Sequence, residues 1–243
     1  MKLATIISNY ILSEGVYDPS IFKAIFIVGG SGSGKSYIAD KTTRGLGFKV
    51  VDSDVPFERM LKKNHVSMKM NDPDDGRRNA LRARAKEVTD DTLHKYLTDR
   101  LGIIVSGTGW DYNAIAAKKQ MLNNAGYDTY MIFVNTSLQT ALDRNRNRER
   151  TIPDNIVSDK WTKVQQNIGK FQSLMGMNNM IIVDNEEGHT DQESLNKIWK
   201  EIMKFSKRPV QNYEAKKWIQ QQLIHKNKLQ RMPGGDGGYN EFN

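Results

Sequence analysis

The chain contains no cysteine, which excludes disulfides and thiolate metal sites and suits a cytoplasmic compartment. Its four histidines, His65, His94, His189 and His225, are scattered without metal-ligand spacing and read as structural or solvent-facing. No apolar run is long enough to cross a membrane. The opening stretch, Met1 to Gly15, holds Ile6, Ile7, Ile11 and Leu12 but is too short and too polar for a signal peptide, and it suits a short amphipathic helix. Acidic residues are the minority, 28 against 36 basic ones, for a net charge of +8. The imbalance is local: residues 204–243 hold eight basic and three acidic side chains. The rest of the chain is therefore not basic enough to demand nucleic acid. No internal repeat is present.

What the sequence does contain is organised around residues 24–36. Ala24 to Val28 form an uncharged apolar run, a candidate buried strand. Gly29, Gly30, Ser31, Gly32, Ser33, Gly34, Lys35 and Ser36 follow and fit G-x-x-x-x-G-K-[ST], with Ile38 and Ala39 opening a helix. Strand, glycine turn and helix are the context that makes this motif a phosphate-binding loop. Glycines let successive backbone N–H groups curl toward phosphate, and the helix N-terminus adds positive potential. Lys35 is then placed for the β- and γ-phosphates of ATP or GTP, and Ser36 for Mg²⁺.

Further strands are predicted at Phe48–Val51, Leu101–Val105, Thr129–Val134 and Met180–Val183. Helices are predicted over Arg77–Arg100, 111–125, 137–150, the stretch marked by Trp161, Val164, Ile168, Phe171 and Met175, and the stretch marked by Leu195, Ile198, Trp199, Ile202 and Met203. On the helix at 111–125, Ala114, Ala117, Met121, Leu122 and Ala125 share a face. Residues 57–75 give no clear pattern, and Asn71 to Gly76 reads as a turn or cap. Five strands alternating with helices predict an α/β P-loop fold of the kinase type: a five-stranded parallel sheet with helices on both faces, plus a C-terminal helical extension. The expected division is an N-terminal arm over 1–20, the P-loop domain over 21–208, and a basic helix with a flexible glycine-rich tail over 209–243. That last segment either packs Trp218 and Leu223 on the core or guides nucleic acid.

Transfer of a phosphoryl group to a hydroxyl needs a carboxylate beside the acceptor. Asp54 stands just past the second strand, at the sheet edge where open α/β folds bind ligands, with Asp52 two residues earlier. The other reading of Asp54 is a helix cap. Cations must also follow the moving charge. Residues 144–150 read Arg-Asn-Arg-Asn-Arg-Glu-Arg; on a helix Arg144 and Arg148 share one face, Arg146 and Arg150 another. The cluster is either a lid over phosphates or a solvated helix end. The third strand ends in Ser106-Gly-Thr108, with no acid for the metal, which leaves Asp54 or Asp52 for that role.

Gly-Gly-Ser-Gly-Ser-Gly-Lys-Ser36, Val-Val-Asp-Ser-Asp54, Gly-Thr108 and Asn-Arg-Glu-Arg150-Thr-Ile-Pro153 together resemble the zeta-toxin and polynucleotide-kinase branch of P-loop kinases. Glu14-Gly-Val-Tyr-Asp-Pro-Ser-Ile-Phe-Lys-Ala24 and Met131-Ile-Phe-Val-Asn-Thr-Ser-Leu138 resemble zeta-toxin-like proteins of large tailed phages. The resemblance covers about residues 14–205. It implies Lys35 and Ser36 on ATP or GTP and Mg²⁺, Asp54 as acceptor base, and Arg148 or Arg150 as lid cations beside Arg144. Zeta toxins phosphorylate a UDP-linked amino sugar and polynucleotide kinases a 5′-hydroxyl. The acceptor expected here is a hydroxyl of a nucleotide-like molecule or a nucleic acid end. Rival readings are UDP-sugar phosphorylation and a nucleotide-binding module that transfers nothing. A membrane partner is not expected, and the oligomeric state is open.

Overall fold

The computed structural model describes residues 15–73, 76–186 and 191–230. The predicted N-terminal helix, His189 and the glycine-rich tail fall outside them. Five strands, β1 (Lys23–Gly29), β2 (Lys49–Val51), β3 (Ile103–Gly107), β4 (Asp128–Asn135) and β5 (Met180–Asp184), form one sheet in the order β2-β3-β1-β4-β5. Every pairing is parallel, so the strands' carboxyl ends lie along one edge. The helices among the described residues are α1 (Lys35–Thr43), α2 (Asp54–Lys63), α3 (Arg77–Thr98), α4 (Tyr112–Asn124), α5 (Leu138–Arg146), α6 (Asp154–Met175), α7 (Gln192–Lys207) and α8 (Tyr213–Gln230).

All seven residues of β1 are buried, which is why its sequence is an unbroken apolar run after Lys23. Its alternation then assigns the two faces. Ala24, Phe26 and Val28 pack with Leu93 of α3, Ile115 and Leu122 of α4, and Val164 and Phe171 of α6. Ile25 and Ile27 pack on the other face with Ile38 of α1 and Leu195, Ile198 and Ile202 of α7. Burying each such side chain contributes about 1.5–3 kcal/mol. The exception, Lys23, is 1% exposed and sits opposite Asp128 in the strand register, its ammonium 2.8 Å from that carboxylate.

Three predicted features differ. Ala114 and Ala117 lie on the exposed side of α4 and Ala125 is exposed at its C-cap, while Ile115 and Leu122, seven residues apart, are buried. The helix turns its largest apolar side chains inward because burial gain scales with area. The unread stretch after β2 opens with α2, whose Phe57 and Leu61 join Ala85 of α3 and Val66 in a small separate cluster. The helix predicted over 137–150 stops at Arg146. Buried Asn145 explains the stop: its amide donates to the Ile152 carbonyl at 2.7 Å, and its oxygen accepts from the Ile152 N–H at 3.1 Å. A side chain that satisfies the backbone this way competes with the helix ladder.

The last helix lies on the core. Ala215 is fully buried and Trp218 meets Phe22 edge to face at 5.6 Å, with Arg100 over its indole at 4.4 Å. The Gln211 N–H donates to Asp128 at 2.9 Å, so the carboxylate that pairs with Lys23 also ties down the approach to α8.

Candidate nucleotide site

At the carboxyl edge of the sheet is a cleft of about 320 Å³ lined by Gly32, Gly34, Lys35, Ser36, Asp52, Asp54, Val55, Glu58, Ser106, Arg144, Arg148 and Arg150. Three glycines of the loop, Gly29, Gly32 and Gly34, sit where a side chain would collide with its surroundings. Gly32 and Gly34 have φ of 78° and 87°; a Cβ on Gly32 would stand 2.4 Å from the Ala141 carbonyl oxygen, and one on Gly34 would stand 2.1 Å from Asn185 Nδ2. Gly29 has the same limit, because a Cβ there would meet the Val134 carbonyl oxygen at 2.3 Å. Asn185, just past β5, donates from its amide to the Ser33 carbonyl at 2.7 Å. No motif in the sequence singles out this strut.

Lys35 opens α1 and turns back over the loop, its ammonium donating to the Gly29 and Gly30 carbonyls at 3.0 and 2.8 Å. Burial pushes its pKa down to about 8, against the opposing pull of Asp54 and Asp52; Arg148 and Arg150 push it further down. Trp161 closes the far side, its indole N–H donating to the Thr136 carbonyl at 2.9 Å and its ring 3.7 Å from where a Gly30 Cβ would be.

Arg144, Arg148 and Arg150 all reach the cleft although only Arg144 is helical. The helical grouping of the sequence is thereby replaced: Arg146 points outward, bound to Asp154 at 2.6 Å and Asp143 at 3.3 Å. Arg148 is positioned by Asn145, to whose oxygen it donates at 3.1 Å. Two guanidinium nitrogens, Arg144 Nη1 and Arg148 Nε, are buried without a hydrogen-bond partner, as is the Ser33 hydroxyl. Buried donors left unmet are costly, and polyphosphate oxygens are acceptors of the right charge for them.

Asp54 is the first residue of α2, and its N–H donates to Asp52 Oδ1 at 2.8 Å. Its own carboxylate is gripped from two sides, by Arg82 of α3 at 2.7 Å and by Arg150 at 2.9 Å. Burial opposes its charge, but Arg150 and Arg82 outweigh that and hold its pKa below the usual carboxylate value. Glu58, which the sequence reading passed over, binds Arg150 Nε at 2.6 Å. It lies one helical turn beyond Asp54, a spacing that becomes readable only once α2 is known. The arginine turn is fastened to the α2 side again through Lys62 and Glu149 at 2.7 Å, and through the Met70 N–H to the Thr151 carbonyl at 2.9 Å.

Beyond β5, Glu186 joins the end of the sheet to the start of α5. It accepts from the Thr136 hydroxyl at 2.9 Å and also binds the Ser137 backbone and Thr140 hydroxyl. Partial burial opposes its charge, yet the bonds from Thr140, Ser137 and Thr136 bring its pKa to about 2. Ser106 lines the cleft, whereas Thr108 does not. Among the described residues no group of three or more histidine or acidic side chains could hold a metal ion unaided.

Comparison with known proteins bears on the family and the fold. A family model described as an AAA domain matches residues 25–170. No curated protein sequence matches. Among solved structures the chain is similar to the PezAT chromosomal toxin–antitoxin system of Streptococcus pneumoniae, at 14% identity over 91% of this chain and 94% of that one, with a TM-score of 0.54. It is similar to AvrRxo1-ORF1 with AvrRxo1-ORF2, solved with ATP, at 14% identity over 79% and 70% of the two chains and a TM-score of 0.55. A candidate kinase from Chloroflexus aurantiacus gives 16% identity, 76% and 98% coverage, and a TM-score of 0.54. At these identities the likeness is one of fold.

Proposed function

The chain belongs to the AAA domain family of P-loop proteins, and from that premise we propose that it is a phosphotransferase, moving the γ-phosphoryl group of ATP or GTP to a hydroxyl of a nucleotide-like molecule or nucleic acid end. The observation that carries this reading is the convergence of Lys35, Arg144, Arg148 and Arg150 with Asp54 in one cleft, with buried guanidinium donors left unmet. A module that only binds nucleotide needs neither a carboxylate beside the phosphates nor cations on the far side of them.

In this reading the loop N–H groups and Lys35 hold the β- and γ-phosphates, and Arg144 and Arg148 meet the charge that spreads over the transferring group. The acceptor oxygen attacks the γ-phosphorus, its proton passes to Asp54, and the bond from that phosphorus to the β–γ bridging oxygen breaks, releasing the nucleoside diphosphate. The depressed pKa makes Asp54 a weak base, so its main work is to orient the hydroxyl and take the proton late, as a loose transition state permits. The oxygen donors Ser36, Asp52 and Asp54 suit Mg²⁺ chemically, and Asp52 is the carboxylate not gripped by arginines. When bound, Mg²⁺ would neutralise phosphate charge there.

The test is transfer of radiolabelled γ-phosphate from ATP and GTP to 5′-hydroxyl DNA and RNA, nucleosides, nucleotides and UDP-sugars. Label appearing on one acceptor class and lost in Lys35→Ala supports the reading. Tight nucleotide binding with no transfer to any acceptor turns it toward a binding module.

A further inference from the structure

The three arginines of the cleft are not alike. Arg144 and Arg148 each bury a guanidinium nitrogen that has no hydrogen-bond partner. Arg150, whose side chain is 10% exposed, donates from Nε to Glu58 at 2.6 Å and from Nη2 to Asp54 at 2.9 Å. Asp54 and Glu58 lie one helical turn apart on α2, so their carboxylates share a face, and like charges at that spacing repel. One arginine between them offsets the repulsion, because a guanidinium fork bonds two acceptors at fixed angles. All three side chains line the cleft. Arg82 holds the other oxygen of Asp54 at 2.7 Å, its own guanidinium carbon 4.9 Å from the centre of the Phe57 ring. Each carboxylate oxygen keeps a second lone pair for an acceptor hydroxyl.

The same face of α2 continues to Lys62, which holds Glu149 at 2.7 Å, and the Met70 N–H holds the Thr151 carbonyl at 2.9 Å. The chain is thus tied down on both sides of Arg150. Swinging Arg150 onto a phosphate would break two charge-assisted bonds and leave Asp54 and Glu58 facing each other. A phosphate meeting the unpartnered nitrogens of Arg144 and Arg148 breaks no bond there.

Resting on the phosphotransferase reading, we infer that Arg150 is a positioning residue rather than a phosphate ligand: it fixes the Asp54 carboxylate for the acceptor hydroxyl, and Glu58 fixes Arg150. Of the two lid cations that the family resemblance implies, Arg148 keeps that role beside Arg144. Arginines that look equivalent in the sequence are divided between the two substrates.

The experiment uses the full chain as wild type, as Glu58→Ala, as Arg150→Lys, with both changes, and as Arg148→Met. Two quantities are read: affinity for a non-hydrolysable ATP analogue, and kcat for transfer of labelled γ-phosphate to whichever of 5′-hydroxyl DNA, a nucleoside or a UDP-sugar the wild type labels. Glu58→Ala puts a strong helix former at a partly exposed position and keeps the fold. It lowers kcat about tenfold or more, the scale of a misplaced reacting group, and leaves analogue affinity within about threefold. Arg150→Lys does the same, because an ammonium keeps the charge and loses the fork. The double variant is no worse than the poorer single one, since both act through one contact. Arg148→Met instead weakens analogue binding by about tenfold or more. The inference is overturned, and the transfer reading left standing, by any of three results: wild-type kcat in Glu58→Ala or Arg150→Lys, losses that add fully in the double variant, or analogue affinity lowered by either single change as much as by Arg148→Met. Label on no acceptor with the wild-type chain fails the transfer reading itself and takes the inference with it, before any variant is compared.

Discussion

Burial brings the Lys35 ammonium to about 8, so its charge is present below that pH and lost above it. The expected consequence is an alkaline limb: kcat/KM for the nucleotide falls as pH rises through about 8, and the limb disappears in Lys35→Arg, whose charge does not titrate there. Lys35→Ala costs about 10²-fold or more in transfer, with the melting temperature little changed. Asp54→Asn is expected to keep nucleotide affinity and lose about 10²-fold or more in transfer, the scale of a positioned base. Asp52→Asn should cost less; the reverse order in single-turnover assays would move the base to Asp52. Glu186 provides a stability test. Its folded pKa, about 2, lies below its ordinary 4.5, so its contribution is complete above about 4.5 and lost as pH falls toward about 2. Denaturant titrations of Glu186→Gln should therefore show a flatter acid limb across that window. The residues named in the P-loop were legible because the motif is contiguous. Glu58, Asn145 and Asn185 were not, because each acts on a partner 92, 7 or 152 positions away in the chain.

At the scale of elements, the turn after α5 depends on a side chain rather than on its own propensity. Asn145 is 1% exposed and holds Ile152 by both backbone groups while positioning Arg148. Asn145→Ala leaves those groups unmet, at about 1–3 kcal/mol each. A lower melting temperature and weaker nucleotide binding should appear together; unchanged binding would mean that Arg148 is positioned by something else. Helix periodicity located α5 but misread its length, since seven residues of basic sequence look helical until a tertiary bond interrupts them. The face of α4 was misread for a related reason. Alanines at helical spacing are compatible with either side, and only the facing sheet selects Ile115 and Leu122.

For the whole molecule, α8 adds both packing and charge. Trp218 meets Phe22 and Arg100, so Trp218→Ala should cost about 2 kcal/mol and lower the melting temperature by about 4–8 °C. A chain ending at Lys207 should melt lower still. If the basic segment serves only packing, log affinity for DNA against log salt keeps the same slope in both chains. A shallower slope in the short chain would assign it phosphate contacts, since fewer counterions are then released. The parallel order of the sheet was legible from five alternations of strand and helix, because parallel strands need helical crossovers.

The amino-acid sequence by itself determined the fold class, the phosphate loop and the identity of the charged residues around it. Those are properties of local spacing: an apolar run buries, glycines curl, and a lysine follows at a set distance. Only the tertiary structure decided which of those charges meet. It brought Arg144, Arg148 and Arg150 to one cleft, turned Arg146 away, and paired Asp54 with Arg82 and Arg150. Electrostatic energy depends on separation in space and on burial, and neither is a function of distance along the chain.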